Sequence, residues 1–240
     1  MTTAYVLQAE DVAIHYGGVK ALDGVSLTLE KGQIRGLIGP NGAGKSTVID
    51  AITGRRRLTR GRVLLDGEDV TALGAVERRQ RGLSRSFQRT SIFAGMAVRR
   101  QVELASHRMG VADSGADADA VLEELDLARL SHMLAEDLGY GEQRRLDLAL
   151  ALVGRPKLLM LDEPMAGLSV KESHDLARHL KALTSRWEVS VLLVEHDMDV
   201  VFGISDAVTV FELGRVIASG EPAAVRADAR VREAYLGSAA

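Results

Sequence analysis

The 240-residue sequence contains no cysteine. Disulfides, thiolate-bound metals and a cysteine nucleophile are therefore excluded, and the chain suits a reducing compartment. Aromatic residues make up only 4% of it, and proline occurs four times. No apolar run is long enough to span a bilayer, and Met1-Thr2-Thr3-Ala4-Tyr5 has no basic stretch leading into an apolar one. Neither a membrane-spanning helix nor secretion is expected. Excess positive charge is also missing: 30 Lys and Arg against 33 Asp and Glu leave a formal net charge of −3, which argues against a chain that wraps nucleic acid. What remains, 46% hydrophobic and 26% charged residues, fits an α/β protein with one large core and a smaller lobe.

Against that background, Gly39-Pro40-Asn41-Gly42-Ala43-Gly44-Lys45-Ser46-Thr47 matches the phosphate-loop pattern G-x-x-x-x-G-K-[ST] at every fixed position. Gln33 to Ile38 reads as a short buried strand before it, and Thr47 to Thr53 as helix after it. A strand-to-helix turn is the context the motif requires. Gly42 and Gly44 lack the Cβ that would keep backbone N–H groups from closing on phosphate oxygens, and the helix N-terminus adds unpaired donors. Lys45 then places a full charge at the β and γ phosphates, and the Ser46 hydroxyl is a ligand for Mg²⁺. The stretch predicts a nucleoside triphosphate site.

Tyr5 to Ile14, Val25 to Leu29 and Arg62 to Leu65 alternate apolar and polar residues, the pattern of an antiparallel β lobe. Tyr16 stands at the end of the first strand before Gly17-Gly18. It is either exposed for an adenine to stack on or a strand-end core residue. From Val98 to about Leu138, Val121, Leu122, Leu125, Leu127 and Leu130 recur at helical spacing. Met109 to Asp119, rich in Gly, Ala, Ser and Asp, reads as a loop interrupting this helical lobe. Leu138-Gly139-Tyr140-Gly141-Glu142-Gln143 precedes a strongly apolar helical run, although a Gly-x-Gly before a helix ordinarily marks no more than a turn.

Leu158 to Leu161 is a continuous apolar run ending in Asp162-Glu163-Pro164. A buried parallel strand delivers such carboxylates to the edge where open α/β sheets bind ligands. Adjacent acids there are costly unless a cation or a reaction uses them. Asp162 is the expected Mg²⁺ ligand, and Glu163 the base beside the γ phosphate. Ser169 to Glu172 forms a capping box opening a helix with Leu176, Leu180 and Leu183 on one face. Val189 to Val194 is a second buried-strand run, and it delivers His196 to the same edge. His15, His107, His132, His174 and His179 read as surface or packing residues.

Together these motifs resemble the ATP-binding subunit of ATP-binding-cassette (ABC) transporters over nearly the whole chain. The resemblance implies an α/β P-loop NTPase of the ABC ATPase type. Residues 1–240 would form one domain, with a RecA-like core and antiparallel β lobe over about 1–87 and 139–240 and an inserted helical lobe over about 88–138. It implies a role for Gln88 in linking the γ phosphate and its Mg²⁺ to the face that grips a membrane permease. It implies that Gly139, Tyr140, Gly141 and Glu142 face ATP held by a second ATPase subunit, identical or related, in a head-to-tail dimer. A substrate-binding protein would act indirectly, and the chain would sit peripherally at the cytoplasmic face of the membrane.

Arg85-Ser86-Phe87-Gln88-Arg89, Ala166-Gly167-Leu168 and the tail Val231 to Gly237 resemble the branched-chain amino-acid importer subgroup, whose pattern is partly shared by urea, short-amide and lipopolysaccharide ATPases. Two departures stand out. Gly139 replaces the usual signature serine and so lacks a hydroxyl for the opposite γ phosphate, a hydrogen bond worth about 1.5–3 kcal/mol. Ser169 stands where many relatives carry Asp, which bears on cross-talk between the two sites. A soluble ATPase acting on DNA or cofactor assembly, and a module that closes on ATP without hydrolysing it, are the competing readings.

Overall fold

The computed structural model describes residues 4–86 and 91–236, so Gln88 lies outside the described residues. In chain order come β1 (Tyr5–Tyr16), β2 (Val19–Glu30), β3 (Ile34–Ile38), α1 (Lys45–Ile52), β4 (Arg60–Leu65), β5 (Glu68–Asp69), α2 (Ala75–Gln80) and β6 (Leu83–Arg85). The helical segment holds α3 (Val98–Arg108) and α4 (Ser114–Glu124), and it leads into α5 (Tyr140–Leu152). Then follow β7 (Leu158–Asp162), α6 (Val170–Arg186), β8 (Ser190–Val194), α7 (Met198–Ile204), β9 (Ala207–Glu212), β10 (Arg215–Gly220), α8 (Pro222–Ala227) and α9 (Ala229–Leu236). Among the described residues no helix is long and apolar enough to cross a membrane.

Two sheets result. One is antiparallel, in the order β2-β1-β4-β5; the other runs β10-β9-β3-β8-β7-β6. β1 and β2 extend beyond the alternating stretches because Gly17, at φ 57°, lets the chain reverse tightly enough to pair Tyr16 with Val19. In the second sheet β3, β8, β7 and β6 are mutually parallel, and alternate residues of these strands serve opposite faces. Leu159, Leu161, Val191 and Leu193 join the helical segment's core with Val121, Leu122 and Leu146. Leu158, Met160, Leu192 and Val194 pack instead with α1 and the antiparallel sheet. Burial on both faces is why these strands read as unbroken apolar runs.

The loop expected over Met109 to Asp119 is shorter than its composition implies, since α4 already begins at Ser114. The Asp113 carboxylate accepts a hydrogen bond from the Ala116 N–H and caps the helix. Three alanines then favour helix, and Ala118 is fully buried. Asp and Ser here are a start signal rather than a loop.

α1, which carries the phosphate loop at its N-terminus, is closed at its other end by Arg78. This side chain is 1% exposed and donates to the carbonyls of Ala51, Ile52, Leu73 and Thr71 at 2.6–3.0 Å. A cation at the helix C-terminus also complements its dipole. Arg78→Met fills much of the space but orphans these acceptors. It is expected to lower stability by about 3–4 kcal/mol, read as a lower urea midpoint at constant m.

The β9–β10 turn has the opposite character. Glu212 pairs with Arg215, so Leu213 and Gly214 form a two-residue turn with φ of 46° and 76°. Leu213 is 82% exposed, and a leucine gains nothing in this left-handed conformation, where Asn-Gly is favoured. Leu213→Asn is expected to raise stability by about 1 kcal/mol, seen as a rise in Tm of about 2–4 °C.

Candidate active site

Three parallel neighbours set the site. Leu37 of β3 pairs with Val194 of β8, and Val194 pairs with Asp162 of β7, so the three strands end level. The phosphate loop, Glu163 and Glu195-His196 therefore leave the sheet side by side at its C-terminal edge.

The glycines of the loop are set by close approach. A Cβ on Gly39 would lie 2.3 Å from the Phe211 carbonyl, and one on Gly44, at φ 104°, would lie 3.0 Å from the Ala21 carbonyl. Gly42 adopts φ 77°. Lys45 folds back across the loop and is 7% exposed; its Nζ donates to the carbonyls of Gly39 at 2.6 Å and Pro40 at 3.1 Å. Burial lowers its pKa, and the nearby carboxylates of Glu163 and Asp162 oppose that shift. Ala43 is buried and pinned by the Gly214 N–H, while Asn41 and Ser46 are exposed and Pro40 and Thr47 half-buried. Tyr16 is 48% exposed, with the Arg56 guanidinium 6.0 Å from its ring centre, so it is not a core tyrosine.

Asp162 is 2% exposed. Its Oδ2 accepts from Arg85 at 3.1 Å, and Arg85 is held in turn by Asp50 at 2.5 Å. Its Oδ1 is buried without a hydrogen-bond partner among the described residues. Desolvation raises the Asp162 pKa and the Arg85 charge only partly offsets it. An orphaned buried carboxylate oxygen at this edge fits a cation ligand.

Glu163 sits at φ 52°, an uncommon conformation for a side-chain-bearing residue, and its N–H donates to the Val194 carbonyl at 2.8 Å. Its Oε1 lies 2.7 Å from His196 Nε2. The two residues expected at the γ phosphate are thus in direct contact. Glu195, 5% exposed, fastens both loops: it accepts from the N–H of Met165 at 2.7 Å and of His196 at 3.1 Å. Burial pushes its carboxyl pKa up. His174, read as a surface or packing residue, lines a cavity of about 650 Å³ shared with Glu163 and His196.

The signature stretch opens α5. Gly139 is its N-cap, and the Glu142 carboxylate accepts from the Gly139 N–H at 3.0 Å. Gly141 lies against the Glu172 side chain: a Cβ there would lie 2.3 Å from Glu172 Oε1, so that carboxylate would have to move aside. Tyr140 donates to the Ala166 carbonyl at 3.1 Å, and Arg144 to the Glu163 carbonyl at 3.3 Å, so α5 is fastened to the loop carrying Glu163. Arg85, Arg144 and Glu195 carry no role in the sequence reading. Of these, Glu195 had a legible signal: it directly follows an apolar strand just as Glu163 does.

Residues 22–166 match the family model described as ABC transporter, and residues 215–240 match the one described as branched-chain amino acid ATP-binding cassette transporter. The chain is 38% identical to the high-affinity branched-chain amino acid transport ATP-binding protein BraF of Pseudomonas aeruginosa, over 98% of both chains. Identity to LivG of Escherichia coli K12, of the same description, is 35% over 98% of both. Against the lipopolysaccharide export system ATP-binding protein LptB of Haemophilus influenzae it is 33% over 97% of both. Among solved structures, an ATP-binding cassette of an ABC transporter in its ADP conformation superposes with a TM-score of 0.87 at 31% identity, covering 98% of this chain and 100% of that one. With a family model matched over residues 22–166 and this identity over nearly its whole length, the chain belongs to the ABC transporter family as an ATP-hydrolysing, ATP-binding subunit.

Proposed function

We propose that the chain powers an importer of branched-chain amino acids, hydrolysing Mg-ATP as one of two ATPase chains docked on permease subunits at the cytoplasmic face of the membrane. The observation that carries the chemistry is the level register of β3, β8 and β7, which brings Lys45, His196, Asp162 and Glu163 to one edge. The match of residues 215–240 and the names of BraF and LivG support the substrate class.

In this reading the backbone from Gly39 to Gly44 surrounds the phosphates, Lys45 bonds the β and γ oxygens, and Thr47 closes the loop. Tyr16 stacks on the adenine. Ser46, Asp162 and Gln88 hold Mg²⁺, which supplies charge neutralisation on the phosphate oxygens. Glu163 takes the proton of the attacking water, and the His196 Nε2–H turns from Glu163 Oε1 to donate to the γ phosphate. Gly139 to Glu142 face ATP bound to the second chain.

Labelled leucine uptake tests the substrate class. Cells deleted for this chain are expected to lose high-affinity uptake of leucine, isoleucine and valine and to regain it on complementation. Unchanged uptake of all three overturns the assignment.

A further inference from the structure

The pairing of β7 with β8 ends at Asp162 and Val194, and Glu163 leaves the ladder at φ 52°. One main-chain bond follows, from the Glu163 N–H to the Val194 carbonyl at 2.8 Å. Pro164 has no N–H, so the next donor in the loop is that of Met165. A side chain takes it: Glu195 Oε1 accepts the Met165 N–H at 2.7 Å. The other oxygen of the same carboxylate, Oε2, accepts the His196 N–H at 3.1 Å. Glu195 is 5% exposed, and both of these bonds come from main chain rather than from a cation. A carboxylate is a costly group to bury for packing alone.

We infer that Glu195 is a positioning residue for ATP hydrolysis: its two oxygens hold the Glu163 loop and His196 at one spacing, and so set the 2.7 Å contact of Glu163 Oε1 with His196 Nε2. The inference rests on the roles proposed above for those two side chains. Met165 is two residues from Glu163, and His196 is bonded at its own N–H, so a shift at either bond passes directly to the reacting groups. With both backbones held, the His196 ring turns toward the γ phosphate about its own side-chain bonds, and the Glu163 carboxylate keeps its place beside the water. The phosphate loop is built on other contacts, Gly39 against Phe211 and Gly44 against Ala21. ATP binding therefore does not depend on Glu195.

Glu195→Gln keeps the size of the side chain but sets an NH₂ group against one of the two N–H donors, whichever way the amide is turned. Its kcat is expected to fall about 10²-fold, the scale of an ångström's displacement of reacting groups, while KM for Mg-ATP stays within about threefold of wild type. Imidazole ¹⁵N NMR of the nucleotide-free chain at one fixed pH reads the contact itself, with the His196 signal assigned by its loss in His196→Ala. In Glu195→Gln that signal is expected to move most of the way to its position in Glu163→Ala, where the partner is gone. Glu195→Asp keeps the charge but is one methylene short, and it is expected to show the same pattern. It separates reach from charge and covers a folding defect in the glutamine variant. A kcat within about threefold of wild type in both variants, or a His196 signal unmoved in both, overturns the inference. So does a fall in kcat matched by a rise in KM and a lower thermal midpoint, the pattern of general loosening. Turnover insensitive to Glu163→Gln, with the His196 signal still displaced in Glu195→Gln, overturns the roles proposed for the pair and supports the spacing set by Glu195.

Discussion

Glu163→Gln is expected to lower steady-state ATP turnover by about 10³-fold while leaving ATP affinity within about threefold of wild type. The substitution keeps the size of the side chain and a partner for His196, whose Nε2 lies 2.7 Å from Glu163 Oε1. The loop is fixed by backbone groups, the Glu163 N–H on the Val194 carbonyl and the Met165 N–H on Glu195. Its shape therefore does not depend on the charge at 163. What disappears is a base able to accept the proton of the attacking water. Phosphate release per chain and equilibrium binding of a fluorescent ATP analogue separate the two effects, and turnover within about threefold of wild type would remove Glu163 from the chemistry.

Lys45→Ala is expected to act on the other axis, weakening ATP binding by about 10²-fold. In the protein Lys45 is buried and already aimed across the loop by the carbonyls of Gly39 and Pro40. Little conformational entropy is left to lose when phosphate oxygens arrive, and a charge-assisted hydrogen bond in a partly desolvated loop is strong. The alanine variant keeps the loop backbone, whose path is set by Gly39 against Phe211 and Gly44 against Ala21. Its thermal midpoint should therefore stay near wild type while its Kd rises. Isothermal titration with Mg-ATP reads this directly, and an unchanged Kd would mean that the loop does not hold the triphosphate.

Much of this site is legible in the sequence because its parts are contiguous. The phosphate loop lies between an apolar strand and a helix, and two other apolar runs end in Asp162-Glu163 and Glu195-His196. Strand order is not written in that way. β8 lies between β3 and β7, so His196 emerges between the loop and Glu163, and this follows from which apolar faces pack together rather than from chain order. The same holds for Arg144, whose contact with the Glu163 carbonyl spans 19 residues, and for Arg85, which reaches Asp162 across 77. Composition misled at 109–119, where Asp113 caps a helix that glycine, serine and aspartate seemed to deny. That Tyr16 is exposed rather than in the core could be read only from the fold.

The head-to-tail ATP sandwich is the claim on which the rest of the account depends. Its most direct test is the mass of the purified Glu163→Gln chain by light scattering, with Mg-ATP, with Mg-ADP and with ATP plus a chelator. A dimer is expected with Mg-ATP alone and a monomer in the other two conditions. A dimer indifferent to nucleotide would contradict it, and a monomer at saturating Mg-ATP would contradict a sandwich of two copies of this chain.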